Sequence, residues 1–401
     1  MKIKILPAIL LLTLFSVSAQ ELHYVFKDIT PKDIRVGADR VEVYLTHLKN
    51  RKVAVCANHT SMIGNTHLVD SLISMNVNVV KIFCPEHGFR GEGEAGEKIK
   101  SSIDKKTGLP IVSLYGTHRK PDSNDLEGVN LIIFDIQDVG ARFYTYISTL
   151  QYIMEAAAER NIIVMVLDRP NPNGYWIDGP VLKKEYTSFI GMAPIPVVHG
   201  MTVGEYAKMI HGEKWLNSEK SCLLQVVPVQ GYHHTFRYQL PISPSPNLNS
   251  MTAIYLYPTL CFFEGTPVSI GRGTDKPFRI VGYPSSPIGD YTFTPKDIRG
   301  IATNVPHKNK KCTGFDLSTL SDMVMKNNNF VNIDLIIEMY NHYVDKQTFF
   351  TPFFDKLAGT DQLRKQIIEG KTAEEIRASW QDDIIAFKKI RKKYLLYGDF
   401  E

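Results

Sequence analysis

The sequence has few cysteines, and they do not form a pattern that would hold a disulfide framework or a zinc ion. The five cysteines are odd in number and widely spaced, at positions 56, 84, 222, 261 and 312. Disulfide frameworks and structural zinc sites have regular cysteine spacings, which are missing here. Cys56 and Cys84 each lie in an apolar run, so we expect them to pack as small hydrophobic side chains.

Several catalytic motifs are also missing. The turn after the first apolar run has no Gly-x-Gly-x-x-Gly, which argues against a dehydrogenase, and the chain has no complete P-loop, no His-Glu-x-x-His and no Gly-x-Ser-x-Gly. A metal site could be assembled from His59, Glu86, His87 and Asp135, but their spacing matches no ligand pattern. We therefore predict no metal and no cofactor. The chemistry that remains is that of carboxylates.

The chain has neither the strong positive charge typical of nucleic-acid-binding proteins nor a long internal apolar run typical of membrane proteins. The 401 residues are 44% hydrophobic and 22% charged, with a net charge of +4, and the chain is long enough for two domains. The basic run at 388–393 is typical of a solvated helix face, so we expect no nucleic-acid partner. No run beyond the N-terminus is long enough to predict a membrane span.

The N-terminus has the pattern of a secretory signal. A basic start at residues 1–4 precedes an apolar run at 5–15 and small residues at 16–19. We predict that residues 1–19 are a signal peptide, cleaved near Ala19, and that the protein is exported to the periplasm or secreted.

Short apolar runs separated by helical or loop segments predict a Rossmann-like α/β fold. The runs lie at 53–56, 77–83, 111–115, 131–134, 162–167 and 195–198. Their continuous apolarity indicates strands buried on both faces, as in a mostly parallel sheet flanked by helices. Helical periodicity is clearest at 149–160 and at 202–210, where Thr202 and Glu205 have capping-box spacing.

A proline-rich stretch at 241–249 marks a domain boundary. We predict a Rossmann-like domain at 20–248 and a smaller α+β domain at 249–401. Helices are expected in the second domain at 332–343, 360–368 and 373–394.

Polar side chains follow five of the runs, where the strands would end. They are Asn58 and His59 after the first run, Glu86, His87 and Arg90 after the second, residues 116–119 after the third, Asp135, Asp138 and Arg142 after the fourth, and Arg169, Asn171 and Asn173 after the fifth. Ligands of open α/β sheets bind outside the carboxyl ends of the strands. Each loop alone is equally consistent with turn and helix-cap chemistry. Their coincidence, with aromatic residues such as Tyr144 nearby, favours a crevice for a sugar.

A second glycine-rich loop at 262–278 brings Glu264 and Arg272 within a few residues of each other. One interpretation is an ion-paired surface hairpin. The other, which we favour, is an arginine that binds a substrate carboxylate through two hydrogen bonds.

Several stretches together resemble the exo-β-N-acetylmuramidases. They are Asn58-His59-Thr60-Ser61, Glu86-His87-Gly88-Phe89-Arg90-Gly91, residues 134–146, 168–174 and 263–266, Pro246-Asn247-Leu248-Asn249 and Gly271-Arg272-Gly273-Thr274. The resemblance extends from about Val36 to the C-terminus. It implies a Rossmann-like catalytic domain joined to a smaller C-terminal domain, with the active site in the cleft between them. It also implies release of terminal N-acetylmuramic acid from the non-reducing ends of peptidoglycan fragments.

The resemblance further implies a catalytic glutamate in the loop after the second strand. Glu92 is our first choice as the general acid, and Glu86 or Asp138 would be the second carboxylate unless the substrate's acetamido group attacks. Arg272, Arg142 or Arg169 would pair with the lactyl carboxylate of the sugar. The other residues expected to contact substrate are Asn58, His59, His87, Arg90, Asp135, Tyr144, Asn171, Asn173, Asn247 and Glu264.

Two other functions are consistent with the same residues. One is a metal-dependent esterase or deacetylase that acts on cell-wall sugars through His59 and His87. The other is a non-catalytic protein that binds muropeptides in the same cleft.

Overall fold

The protein is built around a seven-stranded sheet, as seen in a computed structural model that describes residues 27–90, 102–319 and 330–401. The strands are β1 (Lys27–Ile29), β2 (Val53–Ala57), β3 (Met62–Ile63), β4 (Thr66–His67), β5 (Val79–Cys84), β6 (Ser102–Ile103), β7 (Pro110–Ser113), β8 (Leu131–Asp135), β9 (Ile163–Leu167), β10 (Leu223–Val227), β11 (Phe236–Tyr238), β12 (Ile280–Pro284), β13 (Tyr291–Phe293) and β14 (Cys312–Asp316). The α-helices are α1 (Val41–Leu48), α2 (Leu68–Ser74), α3 (Tyr146–Glu159), α4 (Val203–Gly212), α5 (Met251–Leu260), α6 (Ile333–His342), α7 (Pro352–Ala358), α8 (Gln362–Ile368), α9 (Ala373–Ala378) and α10 (Gln381–Arg391).

The large sheet has the order β10-β9-β8-β2-β5-β7-β6, and every pairing in it is parallel except that of β6 with β7. From β2 the chain first builds β5 and β7 on one side and then returns to build β8, β9 and β10 on the other. This reversal is typical of doubly wound α/β sheets, which bind ligands at the carboxyl edge of the strands. The predicted fold class is confirmed.

Both faces of the sheet are covered. Along β2, Val53, Val55 and Ala57 belong to one apolar cluster, whereas Ala54 and Cys56 belong to another. Alternate side chains of a strand point to opposite faces, so a strand buried on both sides needs an unbroken apolar sequence. The first cluster includes side chains of α1 and α2, and the second includes α3, α4 and many residues of the C-terminal half.

The C-terminal half adds a small antiparallel sheet of order β12-β14-β13, together with helices α5 to α10. A 3-10 helix, Cys261–Gly265, continues directly from α5. The boundary predicted near residue 248 lies just before α5 and stays a prediction.

Most predicted elements are present, including the capping box of α4, in which the Thr202 hydroxyl accepts a hydrogen bond from the Glu205 backbone N–H. The run at 195–198 is not a strand of the sheet, and β10 holds the position next to β9 instead. Pro196 lacks the N–H that a ladder needs, and Val198 forms only isolated bridges. Burial alone explains why this run is apolar, since Val197 and Val198 are fully buried.

The long helix predicted at 373–394 is two helices, α9 and α10. Trp380 interrupts it with a backbone φ of −111° and ψ of 4°. Its indole nitrogen donates a hydrogen bond to Asp178 Oδ1 at 2.9 Å, which holds the ring in the interior. A specific polar contact therefore overrides the helical pattern at this residue.

All five cysteines are buried and unbridged, and the burial predicted for Cys56 and Cys84 is confirmed. In the described ranges each helix is too short or too polar to form a transmembrane span. The predicted signal peptide at 1–19 lies outside the described residues.

Arg142, in the loop after β8, joins the two halves of the chain. Its guanidinium donates to the carbonyl oxygens of Pro180 and Ile195, both at 2.7 Å, and to those of Leu357 and Ala358 at 2.9 and 2.7 Å. The last two carbonyls form the C-terminal end of α7. The side chain is 1% exposed, and burial lowers the pKa of Arg142 to about 9, so it stays charged at neutral pH. A buried cation therefore fixes α7 against the β8 loop.

We predict that Arg142→Met lowers the free energy of unfolding by roughly 3–5 kcal/mol, because buried carbonyl oxygens lose a charged donor. Urea denaturation of the purified protein measures the change. Arg35→Met is the matched control: Arg35 is exposed and pairs with Glu42, so its loss should cost less than about 1 kcal/mol. An Arg142→Met protein as stable as the wild type would contradict the role of this residue.

Candidate active site

A pocket of about 360 Å³ opens at the carboxyl edge of the large sheet. Glu86 and His87 line it after β5, Tyr115 and Arg119 after β7, and residues 143–146 after β8. This is the edge at which open α/β sheets bind ligands. The pocket therefore lies where the sequence predicted a crevice.

Residues from later in the chain also line the pocket. Its other lining residues are Ser188, Phe189 and Ile190 after β9, Ser245, Asn247 and Leu248 before α5, Tyr257 on α5, Glu264, Arg272 and Phe278, and Phe353 and Lys356 on α7. Residues from both halves thus meet around one space.

Glu86 is held at the pocket wall by its neighbours. The hydroxyl of Tyr115 hydrogen-bonds the Glu86 carboxylate; burial, and then the Glu86 charge, raise the pKa of Tyr115 well above its usual range. Tyr115 therefore stays protonated and donates to Glu86. The adjacent His87 is 5% exposed and has a φ of 69°, a backbone region that non-glycine residues seldom adopt. Such conformations persist where surrounding contacts enforce them, and they are frequent in active sites.

Aromatic rings form much of the pocket wall. Tyr257 makes edge contacts with Phe143, Tyr144 and Phe278, with ring centroids 5.3, 5.7 and 5.0 Å apart. Tyr144 also contacts Tyr146 at 4.7 Å. Aromatic rings pack well on the apolar face of a sugar ring, and the tyrosine hydroxyls offer polar handles.

Arg272 and Glu264 form an ion pair inside the pocket. Nε and Nη2 of Arg272 lie 3.0 and 2.5 Å from Glu264 Oε1, and the guanidinium lies 4.9 Å from the centre of the Phe278 ring. Both predicted residues therefore line the pocket, but the charge of Arg272 is already balanced by Glu264.

Asn247 carries an acceptor without a partner. Its Nδ2 donates to the Ile301 carbonyl oxygen at 3.1 Å. Its Oδ1 is buried and has no hydrogen-bond partner among the residues that the structure describes. An unpaired buried acceptor is costly, so a ligand N–H or O–H would be bound favourably here.

Asp138 does not line the pocket but is buried beneath the same loop. Its Oδ2 accepts a hydrogen bond from the Gly140 backbone N–H at 2.7 Å, and its Oδ1 has no partner in the described part of the chain. Burial raises the pKa of Asp138 to about 7. The carboxyl group is therefore largely protonated below neutral pH.

Asp135 and Arg169 pair with each other in the interior instead of lining the pocket. Arg169 Nε and Nη2 donate to the two carboxylate oxygens of Asp135 at 2.5 and 2.9 Å, and Nη2 also donates to the Met62 carbonyl oxygen. Asp135 is fully buried and Arg169 is 6% exposed. These residues join the ends of β8 and β9, so the predicted substrate contacts are replaced by a structural ion pair. Arg142, bound to carbonyls, is likewise unavailable to a substrate.

The predicted asparagines of the strand ends also have internal partners. Asn58 Oδ1 accepts hydrogen bonds from the backbone and side chain of Thr60. Asn171 donates to the Met201 carbonyl oxygen, and Asn173 donates to those of Val139 and Ile254. They stabilise turns, as the alternative interpretation proposed, and do not line the pocket.

Two further candidates lie outside the pocket, and a third is not among the described residues. His59 Nε2 contacts the Ser243 carbonyl oxygen at 2.8 Å, and Arg90 pairs with Asp104 and Asp70, so neither lines the pocket. Glu92, our first choice for the general acid, lies outside the described residues.

Sequence reasoning missed several lining residues, of which Tyr115, Arg119, Phe189 and Lys356 are chemically informative. Arg119 belongs to a strand-end stretch that the sequence did indicate. Phe189 and Lys356 reach the pocket only through tertiary packing, for which the sequence offers no local signal.

One group of possible metal ligands is found among the described residues, formed by His118, Asp122 and Asp125. His118 Nε2 lies 2.7 Å from Asp125 Oδ2, which also accepts a hydrogen bond from the Asp122 backbone N–H. These contacts engage the ligand atoms of His118 and Asp125, and none of the three residues lines the pocket. His59, Glu86, His87 and Asp135, which the sequence analysis considered as metal ligands and set aside, do not form such a group among the described residues.

The raised pKa of Asp138 predicts a pH-dependent stability. The folded protein keeps the proton up to about pH 7, whereas the unfolded chain releases it near the ordinary value of 3.8. Stability therefore falls as pH rises between these values. Asp138→Asn has no proton to lose, so between about pH 4 and pH 7 its stability relative to wild type should rise by on the order of 2–4 kcal/mol. Urea denaturation across this range tests it, and parallel curves for the two proteins would contradict it.

Comparison with known proteins assigns the chain to a family. The N-terminal and C-terminal models of the exo-β-N-acetylmuramidase NamZ match residues 53–252 and 255–397. The peptidoglycan β-N-acetylmuramidase NamZ of Bacillus subtilis (strain 168) is 37% identical over 374 residues, which cover 88% of this chain and 89% of that protein.

Two crystal structures of DUF1343 family proteins from Bacteroides fragilis share the fold. One has a TM-score of 0.85 at 48% identity and covers 92% of this chain and 99% of that chain. The other has a TM-score of 0.75 at 29% identity, with 91% and 99% covered. The chain belongs to the exo-β-N-acetylmuramidase NamZ family.

Proposed function

We propose that the protein is an exo-acting glycoside hydrolase that releases N-acetylmuramic acid from the non-reducing ends of peptidoglycan fragments. The observation that carries the proposal is that one pocket gathers residues from separate family-like stretches, namely Glu86, His87, Tyr144, Asn247, Glu264 and Arg272. These residues come from both halves of the chain. Family membership supports the reaction, and the pocket is the site that we propose for it.

The size and walls of the pocket suit a terminal sugar. Its volume of about 360 Å³ is near the lower end for ligand pockets. The rings around Tyr257 would pack on the apolar face of the sugar, and the unpaired Oδ1 of Asn247 would accept a hydrogen bond from its acetamido N–H or a hydroxyl. A site built for one sugar at a chain end favours exo cleavage.

Carboxylates supply the chemistry in this proposal. Glu92 protonates the leaving glycosidic oxygen, from a segment that begins a few residues after the pocket residues Glu86 and His87. Glu86 is the second carboxylate, because it lines the pocket and is oriented by the Tyr115 hydroxyl, whereas Asp138 does not line it. Hydrolysis of a glycosidic bond needs one acid and one carboxylate or substrate group that assists attack.

Export completes the proposal. The basic, apolar and small-residue pattern of residues 1–19 supports a secretory signal that carries the protein to the compartment of the cell wall. Peptidoglycan fragments are found there, so location and substrate agree.

The test is a pair of chromogenic β-glycosides, one of N-acetylmuramic acid and one of N-acetylglucosamine, which lacks the lactyl group. We expect release from the first alone, and activity that persists after exhaustive chelation. Loss of activity on chelation would favour a metal-dependent esterase or deacetylase. Saturable binding without release would favour a binding protein, and either result would contradict the proposal.

Glu92→Gln should lower kcat on the muramic acid glycoside by about 10²–10⁴-fold while leaving sugar binding intact, because the amide cannot donate a proton. Glu94→Gln, two residues along the same segment, is the matched control and should retain activity. A Glu92→Gln enzyme with near wild-type kcat would overturn the assignment.

A further inference from the structure

The pocket walls contain more cations than carboxylates. Arg119, Arg272 and Lys356 line the pocket together with Glu86 and Glu264. Arg272 is balanced by Glu264 at 2.5 Å. Arg119 and Lys356 form no ion pair with any residue in 27–90, 102–319 or 330–401. Among the described residues, an anionic ligand would therefore find two cations that are not held in ion pairs.

Arg119 is positioned by an aromatic ring. Its guanidinium carbon lies 4.4 Å from the centre of the Phe189 ring. Phe189 is 8% exposed and stacks on Tyr152, with ring planes 10° apart. A guanidinium over a ring keeps its N–H donors at its edge, where they match the two oxygens of a carboxylate. The stacked rings of Phe189 and Tyr152 therefore orient the Arg119 guanidinium so that it can bind a carboxylate.

Lys356 comes from the other half of the chain. It lies on α7, whose last carbonyls, those of Leu357 and Ala358, are bound by the buried Arg142. The neighbouring Asp355 does not neutralise it, because Asp355 pairs with Arg364 at 2.9 Å. The backbone of Lys356 is thus fixed at the pocket while its charge stays available.

The other arginines considered for a substrate carboxylate are less suitable. Arg142 and Arg169 are buried and bound to internal acceptors. At Arg272 an added carboxylate would lie close to the carboxylate of Glu264, and like charges at short distance repel. Arg119 and Lys356 share the pocket with Glu86 but, among the described residues, neither is held in an ion pair.

We propose that Arg119 and Lys356 bind the lactyl carboxylate of N-acetylmuramic acid and so select this sugar over N-acetylglucosamine. The inference rests on the proposed function for the identity of the substrate. Arg119 provides paired hydrogen bonds in a fixed orientation, and Lys356 provides a mobile point charge from the other half of the pocket. The selection of N-acetylmuramic acid over N-acetylglucosamine is therefore electrostatic. It requires both halves of the chain, because each half contributes one of the two cations.

The test compares two chromogenic substrates that differ in one charge. One is the β-glycoside of N-acetylmuramic acid, and the other carries a neutral amide in place of the lactyl carboxylate. For Arg119→Gln and for Lys356→Met, kcat/KM on the acid should fall about 10- to 100-fold, mainly through KM. On the amide it should change by less than about threefold, so that the preference for the acid disappears in the double variant.

Two variants control for nonspecific effects. Lys356→Arg keeps the cation and should keep the preference for the acid. Lys365→Met removes an exposed lysine that pairs with Asp361 outside the pocket, and it should behave as wild type. An equal fall in kcat/KM on the acid and the amide would overturn the proposal, because it would indicate that Arg119 and Lys356 orient Glu86 and do not bind the lactyl carboxylate. A preference that survives the double variant but disappears in Arg272→Gln would overturn it in favour of Arg272.

Calorimetric binding separates this inference from the proposed function. Wild type should bind free N-acetylmuramic acid more tightly than its lactyl amide, and the double variant should bind both alike. If the wild type binds selectively but releases no sugar, the hydrolase proposal fails while the assignment of Arg119 and Lys356 stands. If the wild type releases the sugar and its selectivity does not depend on these residues, the hydrolase proposal stands and the inference fails.

Discussion

The buried guanidinium of Arg142 is the contact on which the site depends. From the loop after β8 it binds two carbonyl oxygens after β9 and two at the end of α7, far apart in sequence. The β8 loop carries Tyr144 and α7 carries Phe353 and Lys356, so one side chain ties together two walls of the pocket. Burying a charge costs free energy, and here four carbonyl acceptors on Nη1 and Nη2 offset that cost. The geometry of the pocket thus follows from hydrogen bonds that no substrate touches.

Charged residues in this protein divide into two groups by their partners. Asp135 with Arg169, and Arg90 with Asp104, are satisfied within the protein and stabilise the strand ends and loops. At the pocket, and within the described part of the chain, Arg119 and Lys356 form no ion pair and Asn247 keeps an unpaired acceptor. Incomplete pairing at a concave surface, rather than charge itself, marks the side chains that are available to a ligand.

Sequence patterns predicted the fold better than they predicted the site. The unbroken apolar run of β2 indicated a strand buried on both faces, and the Thr202–Glu205 spacing indicated the start of α4, because these signals are local. The apolar run at 195–198 was misleading, since burial without strand pairing produces the same composition.

The candidate site was harder to predict because one signal has two causes. A polar residue after a strand can cap a turn, as Asn58 and Asn171 do, or face a ligand, as Glu86 does. Only the distances in a structure show whether such a residue caps a turn or faces a ligand. Tyr144, Asn247, Glu264 and Arg272, which the sequence analysis named as substrate contacts, line the pocket, and their role stays a prediction. Lys356 also lines it, but it lies on α7, where nothing in the local sequence marks it as a pocket residue.

The central claim is that the pocket at the carboxyl edge of the sheet binds the terminal muramic acid. A crystal structure of the Glu92→Gln protein with a disaccharide that carries N-acetylmuramic acid at its non-reducing end tests it most directly. We expect the muramic acid ring to lie against Tyr144 and Tyr257, with its lactyl carboxylate within hydrogen-bonding distance of Arg119 and Lys356. Muramic acid bound elsewhere on the protein, or bound here with its carboxylate on Arg272, would contradict it.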